Sequence, residues 1–175
     1  MIVVIGRARL WSAAAVASAI FCCGCSGRLA QGALVPVAQA DTEGISLVPV
    51  LVATKRSRST ADAGEMFDSG RAEEMSYASV TVSIPPDVTR RTGEVQWPTS
   101  LPGDPRQSFV TVSANFLNKR SFVSDLSTAA KRNGHGKVLV FVHGFNNRFD
   151  QAVYRFAQIT HDSGCLLYTS DAADE

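Results

Sequence analysis

Residues 137–147 read KVLVFVHGFNN, and the reading of this stretch decides the fold. Val138 to Val142 form an unbroken apolar run rich in β-branched side chains. A run of this kind, closed by turn residues, has the pattern of a strand buried on both faces of a parallel sheet. His143 and Gly144 turn the chain, and Asn146 or Asn147 can order the turn or cap the next helix. Residues 147–164, NRFDQAVYRFAQITHDSG, then place Phe149, Val153, Phe156 and Thr160 on one helical face, with Gly164 positioned to end the helix. Upstream, SFVSDLSTAAKRNGHG (121–136) spaces Phe122, Leu126 and Ala129 or Ala130 as a second helix, with Gly134 as its cap.

The part before this is β-rich. ISLVPVLVAT (45–54) is apolar but contains Pro49, which suits an edge strand better than a central one. YASVTVSIPP (77–86) alternates, with Ala78, Val80, Val82 and Ile84 on one face and Ser79, Thr81 and Ser83 on the other. SFVTVSANF (108–116) reads as another strand. The polar stretch KRSRSTADAGEMFDSGRAEE (55–74) reads as a loop, and its Lys55–Arg58 cluster suits a solvated loop better than contact with anionic lipid. Helix, strand, loop and helix after a β-rich opening predict an α/β fold with a mostly parallel sheet flanked by helices.

Composition narrows the function. The 175 residues are 45% hydrophobic and 19% charged, which fits a globular domain. A formal net charge of +1 and no basic stripe give no basis for nucleic-acid binding. Residues 1–25 have the layout of a secretory signal, with Arg7 and Arg9 before an apolar core from Leu10 to Phe21. Their end, CCGCS, resembles a bacterial lipobox with Cys25 as the acylated residue, although Cys22 stands where an aliphatic residue is usual. The expectation is therefore a signal (1–25), a tether (26–44) and a folded domain (45–164), on a lipoprotein anchored in the bacterial cell envelope and facing the periplasm. Plain secretion is the alternative.

The His-Gly turn suggests chemistry. Acyl transfer builds negative charge on a carbonyl oxygen, and fixed backbone N–H donors stabilise it. A loop between a buried strand and a helix N-terminus can present such donors, with the helix dipole in the helpful sense. The N–H of Phe145 is the candidate donor. His143 has two readings, a ring that fixes the loop by hydrogen bonds or a general base, and the first fits better. His161, near a helix end, and His135, between glycines, read as structural or surface residues. Trp97 reads as core or lid packing before it reads as the lining of a substrate cleft.

VLVFVHGFNN followed by FDQAVYRFAQITHDSG resembles the α/β-hydrolase superfamily, and within it an uncharacterised bacterial esterase/lipase-like family. LVATKR (51–56), residues 64–87 and residues 93–113 also resemble the N-terminal half of that family. The resemblance implies an oxyanion loop at His143, Gly144 and Phe145, and a Ser–acid–His triad whose serine sits in G-x-S-x-G. No G-x-S-x-G occurs in the chain, since Gly24-Cys25-Ser26 is followed by Gly27 and Arg28. The tail CLLYTSDAADE (165–175) resembles a translated sequencing adapter. The expectation is a fragment of a membrane-tethered serine hydrolase acting on small-molecule or lipid esters, inactive as it stands. It implies no cofactor and no metal. The rival expectation is a non-catalytic envelope lipoprotein that uses the same fold to bind a ligand.

Overall fold

A computed structural model describes residues 32–38, 44–60, 64–132, 138–144 and 146–164. Cys25, His135, Phe145 and the 165–175 tail lie outside the described residues. Three strands, β1 (Ser46–Arg58), β2 (Phe67–Ile84) and β3 (Val110–Leu117), form one sheet in the order β1-β2-β3. Two helices come after them, α1 (Lys119–Arg132) and α2 (Phe149–Asp162).

Both strand pairs are antiparallel, which corrects the mostly parallel sheet expected from the sequence. The reason lies in the connections. A short return after Arg58 can only join antiparallel neighbours, and residues 85–109 return to β3 without a helical crossover. The segment expected to be the buried parallel strand makes no ladder: residues 138–144 carry no regular structure. Val140 and Val142 are 76% and 86% exposed. A continuous apolar run becomes a strand only where neighbours supply hydrogen bonds on its flanks, and among the described residues none does.

The polar stretch 55–74 also departs from expectation. Most of it is strand, because β1 and β2 continue pairing past Thr54 through two register breaks. Backbone pairing and the buried Phe67 hold these residues, so most of their side chains need no apolar pattern. Pro49 behaves as expected, since β1 is an edge strand.

The core forms where α2 lies on one sheet face. Val48 and Val50 of β1 and Ala78, Val80, Val82 and Ile84 of β2 present that face. Phe149, Val153, Tyr154 and Ala157 of α2 cover it. The alternation read in residues 78–84 is thus the buried face of β2. Gly164, at φ 61°, returns its N–H to His161 O (3.1 Å) and ends α2 as the sequence predicts. Within the stretch read as a tether, residues 32–38 pack onto this core. Leu34 is fully buried, and Val37 N–H donates to Thr111 O (2.9 Å). Gly64 permits the approach, since a Cβ there would meet Gly32 O at 2.6 Å.

α1 is loosely attached: it has no fully buried described side chain. Its apolar face, with Phe122 and Leu126, borders an apolar groove of about 630 Å³ floored by Val50 and Val52. Residues 138–141 form the groove's rim, with Phe141 stacked on Phe156 at 5.6 Å. An exposed apolar strip beside an unpaired edge strand favours self-association. Val140→Lys is therefore expected to lower light scattering of the purified chain at a given concentration. Its melting temperature should stay within about 2 °C, as for a surface substitution. Unchanged scattering would locate the association elsewhere.

Candidate functional site

The loop that carries His143 and Gly144 closes against the end of the β1–β2 hairpin. Arg56 of β1 makes the junction, donating from Nη2 to Asn147 O at 2.7 Å and from Nη1 to Asp68 O at 3.2 Å. The two register breaks flank Arg56, and such bulges re-aim side chains. Between hairpin and loop lies a cleft of about 690 Å³. One wall carries Lys55, Arg56 and Arg71; the other carries His143, Gly144 and Asn146. Phe149, the first residue of α2, lies at its base and packs edge-on to Phe67 at 4.8 Å. Thr54, Arg56, His143 and Phe149 also line the apolar groove, so cleft and groove share a border.

Within the loop, Gly144 O receives Asn147 Nδ2 (3.2 Å) and lies 2.9 Å from His143 Nδ1. The asparagine therefore orders the loop, and Arg148 is the N-cap of α2, with its N–H donating to Gln151 Oε1 at 3.0 Å. The His143 ring contacts its own loop through Nδ1. Asn146, at φ 61°, adopts the left-handed turn conformation. A Cβ on Gly144 would meet only Asn147 Nδ2 at 3.6 Å, so steric room for the turn is not what requires glycine there. Asp150, in the first turn of α2, suits the helix dipole and pairs with Arg148 at 2.7 Å.

A Ser-His-Asp arrangement does occur, at a place the sequence did not suggest. His161 Nε2 lies 3.1 Å from Ser46 Oγ, and Nδ1 lies 3.4 Å from Asp162 Oδ1. Its chemistry is wrong for a triad. Arg90 Nη2 is 3.0 Å from His161 Nδ1, and a guanidinium N–H can only donate. Nδ1 must accept, so the ring hydrogen sits on Nε2 and is donated to Ser46. A general base would need Nε2 free to take the serine proton. Asp162, meanwhile, is bound by Arg90, by Gly93 N–H (2.6 Å) and by Gln158 Nε2 (2.6 Å). The group ties the Asp87–Glu94 turn to the end of α2, and Ser46, His161 and Asp162 line neither cavity.

The expectation of a membrane-tethered serine hydrolase is corrected accordingly. The described residues present no working triad, and none of their helices is long and apolar enough to cross a membrane. They also hold no cluster of three metal-ligating side chains. Nothing in the sequence singles out Arg71 and Arg90, and Arg56 stands out there only as part of the Lys55–Arg58 cluster. Arg56 meets Asn147 across 91 positions, and no local pattern signals such a contact.

No curated protein and no solved structure matches the chain. Residues 118–170 match the model of a family described as an alpha/beta hydrolase of unknown function, DUF900. The match begins after β3, so it spans α1, the His143 loop and α2 and does not extend to the resemblance read over residues 51–113. Over 118–170, the chain is thus similar to a distantly related α/β-hydrolase-like domain of unknown function.

Proposed function

We propose that the described residues bind a small carbonyl compound, such as an ester, in the cleft between the β1–β2 hairpin and the His143–Asn147 loop, without turning it over. The observation that carries this is the cleft itself, which sets the loop before α2 against the bulged end of the hairpin. The loop's backbone and the N-terminal end of α2 favour an oxygen bearing partial negative charge. In this reading the N–H of Phe145 is the carbonyl donor, and His143 and Gly144 hold the loop that presents it.

A second reading is hydrolysis, of the carboxylic-ester type, for which the likeness of residues 118–170 to an α/β-hydrolase family of unknown function is the support. For that chemistry the described residues supply no nucleophile.

Titration of the purified chain with ethyl butyrate tests the first reading. Saturable binding is expected, weakened about tenfold by Gly144→Val, which adds a branched side chain to a residue lining the cleft; tenfold is about 1.4 kcal/mol. p-Nitrophenyl butyrate should hydrolyse at the rate seen in buffer alone. Absence of ester binding would sink the proposal. So would turnover abolished by Ser46→Ala, which would make the Ser46–His161 contact catalytic.

A further inference from the structure

The hairpin wall of the cleft carries three cations, Lys55, Arg56 and Arg71, none of them in an ion pair among the described residues. Arg56 and Arg71 are direct cross-strand partners, at the rung between the two register breaks. Like charges directly opposite one another destabilise a sheet. Lys55, the residue before Arg56 on β1, lines the same cleft. The Arg56 guanidinium is held by two main-chain carbonyls, which fix its position but leave its charge uncompensated. Among the described residues, Lys55 and Arg71 make no side-chain hydrogen bond or ion pair, and Arg56 makes no ion pair.

Glu65 and Asp68 line the same wall, and no ion pair joins either to Lys55, Arg56 or Arg71 among the described residues. Glu65 Oε2 accepts from Ser59 Oγ (2.7 Å), and Asp68 Oδ1 accepts from Gly70 N–H (2.7 Å). Asp150 takes Arg148 (2.7 Å) and Gln151 N–H (2.9 Å). Three cations on one wall, two of them forced opposite each other by the sheet register, are stabilised when an anion sits between them. Arginine supplies the forked donors that carboxylate and phosphate oxygens accept.

We infer that this wall is a subsite for an anionic group, a carboxylate or a phosphate, on the ligand the cleft takes. The inference rests on the cleft being the ligand site. It turns a general ester-binding cleft into one for esters or acids that carry a negative charge a short distance from the carbonyl.

The test is calorimetric titration of the full chain at low salt with inorganic phosphate and, separately, with acetate. Saturable binding of at least one is expected, weakened about tenfold when Lys55→Gln and Arg71→Gln are combined. Both side chains are exposed, so the fold should survive; an unchanged melting curve checks this. Arg91→Gln removes an exposed cation outside the cleft and should leave binding unchanged. Phosphate alone or acetate alone would identify the group, and either supports the subsite. No saturable binding of either anion overturns it, as does an equal loss in Arg91→Gln. Ethyl butyrate is neutral. If the Lys55→Gln and Arg71→Gln chain still binds it while neither anion binds the unmodified chain, the subsite fails and the carbonyl reading stands.

Discussion

Tyr154→Ala is expected to destabilise the fold by about 3–5 kcal/mol, the range for emptying a large aromatic site in a core. Tyr154 is fully buried at the centre of the helix–sheet interface. Its ring stacks on Trp97 with centroids 5.3 Å apart, and its hydroxyl donates to Ala33 O at 2.8 Å and meets Thr111 Oγ1 at 3.1 Å. One side chain thus links α2, β3, the Trp97 turn and the 32–38 segment. A domain of this size has only about 5–15 kcal/mol of stability, so the loss should be visible as a large drop in the urea midpoint.

The same residue carries a pH signature. Burial pushes the Tyr154 hydroxyl up to about 12 from the ordinary 10, with the Thr111 hydrogen bond opposing part of that rise. The neutral form is favoured in the folded chain, so its contribution is fully present below pH 10. It is lost as pH rises from 10 towards 12, when the unfolded tyrosine ionises and the folded one resists. The loss should amount to about 2–3 kcal/mol at the upper end. Tyr154→Phe should remove that alkaline decline while costing about 0.5–1.5 kcal/mol at neutral pH, because buried Ala33 O keeps the Thr111 hydroxyl (3.2 Å) as a donor and loses only the Tyr154 one. An unchanged alkaline decline in Tyr154→Phe would assign the titration to another group.

Arg90→Ala is the second large effect, at about 3–5 kcal/mol, the cost of leaving one member of a buried ion pair alone. The Arg90 side chain is 3% exposed and that of Asp162 is 10%. Arg90 also pairs with Asp87 at 2.7 Å, so it fastens the turn after β2 to the last turn of α2. Burial alone would raise the Asp162 carboxyl. The hydrogen bonds from Arg90, Gly93 N–H and Gln158 outweigh it and bring its pKa down to about 2 from 3.8. The ionised form is therefore favoured in the folded chain. Its stabilisation is present above pH 4 and is lost as pH falls through 4 towards 2. Arg90→Ala should move acid unfolding to higher pH, as read by circular dichroism. Replacing both partners, Arg90→Met with Asp162→Leu, should cost less than Arg90→Ala alone. A double replacement as damaging as the single one would argue that the turn needs Arg90 for more than Asp162.

The sequence made some of this legible and hid the rest for physical reasons. Residues 78–84 announced their strand because one face is buried and the other is not. α2 announced itself through Phe149, Val153 and Thr160, and through Gly164 at its end. The hairpin extension past Thr54 and before Tyr77 was hidden, because Phe67 is its one fully buried apolar anchor among the described residues and backbone pairing carries the rest. The run 138–142 misled, because its apolar character states what neighbours it requires and not whether they are present. The loop of the candidate site was visible in His143 and Gly144. Its opposite wall was not, because the facing of Arg56 and Arg71 depends on register breaks that leave no pattern in the sequence.

The central claim is that the His143–Asn147 loop and the bulged hairpin end form one ligand cleft. Amide chemical-shift mapping of the chain, titrated with ethyl butyrate, tests it most directly. Shifts are expected to group at Gly144 and Asn146 on one wall and at Arg56 and Arg71 on the other, with Ser46 and His161 unmoved. Shifts confined to Ser46, His161 and their neighbours would contradict it.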